Sequence, residues 1–462
     1  MSTEVDIDTL REQFLELARQ DDVLKVRELL NHQNISDVAE LISEVPEYET
    51  QIIGNMSIHR AASVFKILDL GDQKTIIREL PPSKTAELLN ELPADDRTDL
   101  FEELPGKVVK ELIKLLNPEE RKITLSLLGY REGSVGRLMT PDYISVQVDW
   151  TCQDILNLIR EEGKDSETID VIYIVNDKGE FVDDVRIREI ILASPDKEVG
   201  DIIDYRYITL NANDEQEVAN QIFKMNNRVA LPVVDDKNIL LGIVTIDDVL
   251  WVANEEFSED IQKIGGTEAL DEPYLEMPLM RLFKKRIVWL VVLFLGEMLT
   301  ATVMKYFEDE IAKAVVLALF IPLIISSGGN SGSQASTLII QAMAMGEITV
   351  AEWWRVLKRE ILSGLLLGAV LGIIGFFRVV FWNSMFHTYG DNGTEIGLTV
   401  GFSLLGVVLW GTITGSMLPL LLKRLGADPA TSSAPFVATL VDVTGLVIYF
   451  SMAYMLLSGI LL

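Results

Sequence analysis

The sequence predicts a multi-domain membrane protein with an all-α superhelical N-terminal domain, an α/β repeat domain, a connecting helix and a transmembrane domain of five α-helices. The first observation behind this fold class is the distribution of charge. Lys and Arg total 40 and Asp and Glu total 70, yet only 8 basic and 11 acidic residues lie from Ile287 onward. The first 286 residues therefore carry 32 basic and 59 acidic side chains, a net charge of −27, as expected of a soluble region. The other two observations are internal repeats in this acidic half and five long apolar segments behind it.

Residues 1–132 are predicted to form the superhelical domain, because a Leu-Pro step recurs every 12 residues. It occurs at Leu80, Leu92 and Leu104, and Leu116 is followed by Pro118. The residue before proline resists helical geometry, so each unit is predicted to be a short helix that stops at this step. Stacked short helices form a solenoid-like scaffold rather than a catalyst. We therefore expect no enzymatic activity from this domain.

Residues 133–252 contain a longer repeat, in which each half predicts strand, helix, strand, turn, strand and helix. The turns "NDKGE" and "DDKN" have hairpin chemistry. This pattern resembles a tandem pair of cystathionine-β-synthase (CBS) motifs, which are ligand-sensing modules. In the second copy, Thr245 and Asp248 match the ribose-contacting positions of that family, and the first copy lacks both. The resemblance leaves two readings open: ATP or another adenine nucleotide bound at the second copy, or a purely structural pair.

Residues 253–280 are assigned to a connecting (plug) helix. The helix predicted over 247–266, which leads into the first membrane segment, is strongly acidic. Like charges four residues apart destabilise a helix, so something positive must offset them. The positive partner is either solvent counter-ions on a solvated face or divalent cations that bridge the helix to another acidic surface. The carboxylates concerned belong to Asp247, Asp248, Glu255, Glu256, Glu259 and Asp260.

Residues 281–462 are assigned to the membrane domain, with apolar segments at roughly 287–305, 311–340, 361–383, 397–422 and 435–461. Basic residues concentrate in alternate loops, which predicts a cytoplasmic N-terminus and a C-terminus outside. Arg378, near the outer end of the third segment, is the one basic residue that disagrees. The loops that set the orientation contain Arg281, Lys284, Lys285 and Arg286, then Arg355, Lys358 and Arg359, then Lys423 and Arg424.

Polar groups inside these segments are the candidate ion-pathway residues. Asp442 lies within "FVATLVDVTGLVIYF" (436–450), where a charge costs roughly 3 kcal/mol, and such carboxylates commonly mark ion paths. The alternative is an aspartate held by a Ser or Thr of a neighbouring helix. The run "IPLIISSGGNSGSQASTLII" (321–340) is expected to be non-helical and to offer its carbonyls and the amides of Asn330 and Gln334 to a hydrated cation. Two roles are equally open for Glu297: it lines the pore, or it forms a hydrogen bond to a neighbouring helix.

The stretches "LMTPDYISV", "EDIQKIGG", "FIPLIISSGGNSGSQASTLII", "KRLGADPA" and "PFVATLVDVTGLVIYF", in this order, resemble the MgtE-type magnesium transporters over nearly the whole chain. The resemblance implies a homodimer in the cell (inner) membrane, with one Mg²⁺ pore on the two-fold axis lined by Asp442 and Asn330. It also implies that cytosolic Mg²⁺ closes the pore by binding between acidic surfaces. The sensor residues that it implies are Glu217, Asp248, Glu256, Glu259, Asp260 and Asp428, joined by Asp95 or Asp96 of the N-terminal domain.

Composition restricts the partners and the competing functions. The acidic half argues against nucleic acid and favours divalent cations, while the apolar half requires a lipid bilayer. Cys152 is the single cysteine, which excludes an internal disulfide, and the acidic start "MSTEVDIDTLREQF" does not resemble a signal peptide. The alternatives are an intramembrane aspartyl protease that pairs Asp442 with Glu297, a nucleotide-sensing receptor without a pore, and a transporter of other divalent cations such as Co²⁺.

Overall fold

The computed structural model describes residues 7–164, 166–270, 274–275 and 277–461. The first six residues of the predicted acidic start, part of the connecting segment and the C-terminal Leu462 lie outside the described residues. The chain divides into two compact units, of which the first ends at Asn254 and the second begins at Glu255, and each unit is described by itself.

The N-terminal part of the first unit is a stack of short helices, as the repeat predicts. Helices α1, α3, α5 and α7 pack in succession, and so do α2, α4 and α6, which gives the two layers of a superhelix. Leu80 and Leu92, each before a proline, end α6 and α7 in extended geometry with ψ of 144° and 139°. The helices are α1 Ile7–Arg19, α2 Val23–His32, α3 Ile35–Glu44, α4 Glu49–Asn55, α5 Ile58–Phe65, α6 Leu70–Glu79, α7 Pro82–Glu91, α8 Ala94–Glu102, α9 Gly106–Leu112 and α10 Pro118–Leu127.

A buried arginine connects the last helices of this stack through hydrogen bonds. The Arg97 side chain of α8 is fully buried. It donates hydrogen bonds to Thr124 Oγ1 (2.8 Å), to the Leu89 carbonyl (3.1 Å) and to Glu120 Oε2 (2.5 Å). A buried guanidinium is tolerated only when its donors are paired in this way. Arg97 thereby holds α8, which carries Asp95 and Asp96, against α10.

The rest of the first unit is the predicted α/β repeat. Each half forms a three-stranded sheet in which the first strand is parallel to the second and the second antiparallel to the third, in the orders β1-β2-β3 and β4-β5-β6. Both hairpins turn through a residue of positive φ, Gly179 (79°) and Asn238 (64°), as their turn sequences predict. The elements are α11 Val135–Leu138, β1 Ser145–Val146, α12 Cys152–Glu162, β2 Val171–Val175, β3 Phe181–Arg186, α13 Ile187–Leu192, β4 Leu210–Asn211, α14 Gln216–Asn226, β5 Ala230–Val234, β6 Leu240–Thr245 and α15 Ile246–Ile264.

The second unit contains the end of α15 and the apolar helices. Five helical segments of the described chain have the length and composition to cross a membrane: Leu279–Tyr306, Val315–Ala344, Val350–Phe386, Gly390–Arg424 and Ala434–Leu457. Arg378, the charge that disagreed with the orientation, lies 3.7 Å from the ring centre of Trp382, a cation–π contact. The helices are α16 Leu279–Tyr306, α17 Glu308–Lys313, α18 Ile321–Ala344, α19 Trp353–Phe386, α20 Gly393–Arg424 and α21 Ala434–Leu457.

The prediction that residues 321–340 are non-helical is wrong. The whole run lies in α18, and Pro322 occupies its first turn, where the missing N–H breaks no helical bond. The glycines serve close helix packing instead. A Cβ on Gly328 would overlap Val407 of α20, and one on Gly332 would stand 2.9 Å from Val437 of α21 and 3.1 Å from the Gly411 carbonyl. The backbone carbonyls of this run are therefore largely occupied by the helix itself.

Candidate cation sites

Asp442 lies on α21 where this helix faces α18. A Cβ on Gly329 would lie 3.3 Å from Asp442 Oδ1, so a side chain at position 329 would crowd the carboxylate. Asp442 is half-buried, and among the described residues it has no hydrogen bond or ion pair. The Ser or Thr partner of the alternative interpretation is therefore not found there. An unpaired carboxylate at membrane depth calls for a cation.

Two further predicted residues lie on helices that contact α21. Asn330 directly follows Gly329, its amide is exposed, and its Nδ2 donates only a long bond of 3.4 Å to Ser326 Oγ. Glu297 of α16 is exposed and near enough to Asp442 for the two carboxylates to repel each other. The structure thus places Glu297 of α16 near Asp442 of α21, and Asn330 next in sequence to the glycine that Asp442 faces.

A second group of carboxylates lies within the first unit and joins α8 to the repeat domain. We call Asp95, Asp96, Glu167, Asp247 and Asp248 the N–CBS acidic cluster. Asp95 is 5 % exposed, and its Oδ1 is buried without a hydrogen-bond partner. Burial and the charge of Asp248 raise the pKa of Asp95 well above its usual range. Burial, opposed by a bond from Thr245 and reinforced by Asp247, raises the pKa of Asp248 to about 7.

One lysine faces the N–CBS acidic cluster. Lys66, which ends α5, has its Nζ 3.7 Å from Asp96 Oδ2. Burial alone would lower the pKa of Lys66, but the surrounding carboxylates, Asp96 first, outweigh burial and raise it. Lys66 and Glu167 were not predicted as site residues, because no local sequence pattern relates two positions about a hundred residues apart.

The remaining residues predicted for the repeat domain are placed as follows. Thr245 is 6 % exposed, and its Oγ1 lies 2.5 Å from both Asp247 Oδ1 and Asp248 Oδ2, so its hydroxyl is already engaged. Glu217 is exposed on the first turn of α14 and is not among the groups whose charges chiefly act on Asp95 or Asp248. A cleft of about 420 Å³ opens elsewhere, between the two halves of the repeat. Its lining has mixed charge: Arg186, Arg206 and Arg228 with Asp183, Asp184, Glu189 and Asp204.

A third group lies in the second unit. We call Glu256, Glu259 and Asp260 of α15, with Asp428 after α20, the connecting-helix cluster. Lys263 Nζ is 2.7 Å from Asp428 Oδ2 and also pairs with Glu259. Burial, then the charge of Asp428, raises the pKa of Asp260 to about 6. Lys263 was also missed, although its position four residues after Glu259 on one helix was a readable signal.

The end of α15 is linked to the apolar helices at Gly266. This residue has φ of 76°, and a Cβ there would stand 2.8 Å from the Trp289 ring of α16. Trp289 Nε1 in turn donates to Ser433 Oγ (3.1 Å), the N-cap of α21. The segment after the acidic helix therefore contacts the start of the helix that carries Asp442.

The described residues contain no group of three His, Cys, Asp or Glu side chains arranged to enclose a metal ion directly. All the candidate ligands are oxygens, which favours hard cations.

Comparisons with known proteins agree with this organisation. Three family models match: "Divalent cation transporter" (MgtE) over residues 321–452, "MgtE intracellular N domain" over 33–133, and "CBS domain" over 135–196 and 199–255. A magnesium transporter MgtE of Thermus thermophilus is 37 % identical over 351 residues, which are 76 % of each chain. The Enterococcus faecalis MgtE is 31 % identical over 452 residues, covering 96 % of this chain and 97 % of that one.

Two solved structures each match about half of this chain. The soluble part of a magnesium transporter has a TM-score of 0.52 at 26 % identity and covers 54 % of this chain and 99 % of that one. The cytosolic domain of the Mg²⁺ channel MgtE in complex with ATP has a TM-score of 0.50 at 31 % identity and covers 52 % and 99 %. These relatives give no support to the protease or receptor alternatives. With five apolar helices behind a helical domain and a CBS pair, the chain is a multi-pass membrane protein that belongs to the MgtE family of divalent cation transporters.

Proposed function

We propose that this protein is a homodimeric magnesium channel of the cell (inner) membrane, which carries Mg²⁺ down its electrochemical gradient into the cytoplasm and closes when cytosolic Mg²⁺ binds its acidic surfaces. The observation that supports it most directly is the unpaired carboxylate of Asp442 beside Gly329 in a chain of the MgtE family. The domain boundaries at residues 132, 252 and 280, the cytoplasmic N-terminus and the outer C-terminus are part of this proposal.

The pore chemistry follows from how Mg²⁺ binds. Mg²⁺ sheds water reluctantly and is commonly held through its water by one or two carboxylates. Two Asp442 side chains facing each other across a dimer axis supply two negative charges with room for a hydrated ion. The exposed amides of Asn330 and Gln334 support the dimer, because lipid tails cannot solvate amides. A second copy of the chain would enclose these amides in a water-filled pathway. The membrane potential contributes about 2.3 kcal/mol per charge per 100 mV to entry.

Closure rests on electrostatic repulsion that a cation relieves. The buried, unpartnered Oδ1 of Asp95 fits a cation bound at the N–CBS acidic cluster through Asp95, Asp96 and Asp248. The connecting-helix cluster offers Glu256, Glu259, Asp260 and Asp428, and Glu217 is a further sensor residue of this proposal. An ion that binds the closed arrangement more tightly than the open one shifts the population toward closure. Several weak sites acting together give a steep threshold.

Nucleotide binding is a second part of the proposal. A related cytosolic domain is described as a complex with ATP, and a CBS pair is present here. The predicted contacts Thr245 and Asp248 have their polar atoms engaged with each other. The cleft offers the guanidinium groups of Arg186 and Arg206 to phosphates, although Arg228 already pairs with Asp184 and further carboxylates also line the cleft. Calorimetric titration with ATP of the wild type and of Arg206→Ala tests whether the cleft takes the nucleotide.

Asp442→Ala tests the pore assignment. The variant and the wild type are reconstituted in liposomes and uptake of Mg²⁺ is measured at low internal Mg²⁺ with an imposed potential. We expect the variant to lose uptake while it still inserts and dimerises. Asp391→Ala, at an exposed loop between α19 and α20, is the matched control and should behave as wild type. Wild-type uptake by Asp442→Ala would refute the assignment. Repeating the assay with Co²⁺, Mn²⁺ and Ca²⁺ tests the choice of ion.

The sensor assignment is tested by neutralising Glu256, Glu259 and Asp260 together as Gln, Gln and Asn. We expect uptake to continue at internal Mg²⁺ concentrations that stop the wild type. The control neutralises the three acids of α17 in the same way: Glu308, Asp309 and Glu310. Inhibition unchanged from wild type would remove the connecting-helix cluster from the sensor.

A further inference from the structure

The start of α19 and the end of α20 lie side by side at one end of the membrane domain. A Cβ on Gly364 of α19 would meet Leu409 of α20, and Val356 shares an apolar cluster with Leu420, so the two helices run antiparallel. The first turns of α19 are therefore level with the last turns of α20. We call the exposed cations of these turns the α19–α20 basic surface: Arg355, Lys358, Arg359, Lys423 and Arg424.

The cations of α19 continue the helix face that is exposed along the membrane span. Residues three or four positions apart share one face of a helix. At this spacing Arg355 and Arg359 lead directly into a stripe of large apolar side chains that are exposed within the span. The stripe consists of Leu362, Leu366, Val370 and Ile373. A molecule that lies along this face therefore meets apolar side chains first and guanidinium groups at its end.

Two tryptophans mark the depth of the surface in the bilayer. Trp353 and Trp354 are 48 % and 50 % exposed at the start of α19, and Lys358 Nζ lies 5.2 Å from the centre of the Trp354 ring. Exposed indoles are enriched at the level of the lipid headgroups, where one side of the ring is apolar and the other wet. The basic surface thus lies where phosphate groups of a bilayer are found.

The protein offsets only part of this positive charge. Arg355 Nη1 pairs with Glu352 Oε1 at 2.7 Å, and the partly buried Glu360 follows Arg359 in sequence. Among the described residues, no carboxylate forms an ion pair with Lys358, Lys423 or Arg424. The surface keeps a positive excess at headgroup depth, which attracts anionic lipid.

We propose that the α19–α20 basic surface binds the headgroup of an anionic phospholipid, whose acyl chain lies along the apolar stripe of α19. A lipid fits better than a free anion, because the cations and the stripe form one continuous face. Under the orientation proposed above, this lipid belongs to the cytoplasmic leaflet.

The experiment follows the melting temperature of the full-length chain in detergent during titration with phosphatidylglycerol. We expect a rise of about 5 °C at saturation, and no rise with phosphatidylcholine or inorganic phosphate. The double variant Lys358→Gln/Arg359→Gln should need about 25-fold more phosphatidylglycerol for the half-maximal rise, since each cation near anionic lipid contributes about a fivefold factor. Lys423→Gln/Arg424→Gln is the second variant, with the same expected change.

The control is Lys305→Gln/Lys313→Gln, which removes two exposed cations at the other end of the apolar helices and should keep the wild-type half-point. Lys423 and Arg424 also lie in the last turn of α20, where cations stabilise the helix dipole. A purely structural role would lower the melting temperature without lipid and leave the half-point of the titration unchanged, and that result overturns the proposal.

Three other results would also overturn it. Phosphatidylglycerol that acts no more strongly than phosphatidylcholine on the wild type excludes an anionic-lipid site. An equal rise with inorganic phosphate indicates a free-anion site instead. A change of oligomeric state in the basic-surface variants, measured by light scattering, assigns the surface to a contact with a second copy of the chain.

Discussion

Gly411→Ala tests whether close backbone contact between α18 and α20 positions the ion pathway. A Cβ at Gly411 would lie 2.5 Å from the Gly328 carbonyl oxygen, whereas real Cβ atoms essentially never come within 3.0 Å of a neighbour. The two helices must therefore separate by about 0.5 Å or more, since the neighbour is backbone and cannot rotate away. Gly328 immediately precedes Gly329, so the shift moves the place where α18 faces Asp442.

Overpacking of this kind costs about 1–3 kcal/mol, which corresponds to a melting temperature lower by about 2–12 °C. We expect Gly411→Ala to show this loss in detergent and to conduct Mg²⁺ more slowly in liposomes. Gly406→Ala on the same helix is the control, because its Cβ would meet only the Ile448 Cγ2 methyl at 3.2 Å, which can yield. Both changes gain the same helix propensity, so their difference isolates the contact. Equal melting temperatures and equal fluxes would refute the reasoning.

Two further predictions concern pH and the link to α15. Glu49 is 6 % exposed, and burial, then the charge of Asp72, raises its pKa from 4.5 to about 7. The folded state thus binds the proton more tightly, and the unfolding free energy should fall by up to about 3 kcal/mol as pH rises from about 4.5 to 7. Glu49→Gln should flatten this dependence in denaturation curves from pH 5 to 8, and parallel curves would contradict it. Gly266→Ala should raise the internal Mg²⁺ concentration needed for half-inhibition of uptake, because the added Cβ would push the Trp289 ring away. Gly346→Ala is the control and should leave that concentration unchanged, because Gly346 has a similar φ (74°) but no neighbour within 4 Å.

Sequence reasoning succeeded where a local rule acts alone. The extended geometry of Leu80 and Leu92 follows from the proline behind each of them, and the hairpin at Gly179 follows from its turn residues. The five apolar helices follow from length and hydropathy alone.

It failed where tertiary contacts decide. Glycine has low helix propensity, which favoured a non-helical run at 321–340, but α18 gains close packing against α20 and α21 through those same glycines. Lys66 could not be predicted as a partner of Glu167 because only the folded chain brings them together. Part of the positive charge that offsets the acidic helix comes from Lys263 of the same helix, which pairs with Glu259.

The regular helix of α18 has a consequence for how ions are told apart. Because the main-chain oxygens of α18 accept hydrogen bonds within the helix, this helix offers few bare carbonyls with which to replace a lost hydration shell. Under the proposed function, discrimination along α18 therefore acts on the ion together with its water, through the size of the hydrated ion and the strength with which it holds that water. A larger cation that sheds water readily, such as Ca²⁺, gains nothing from doing so along this helix.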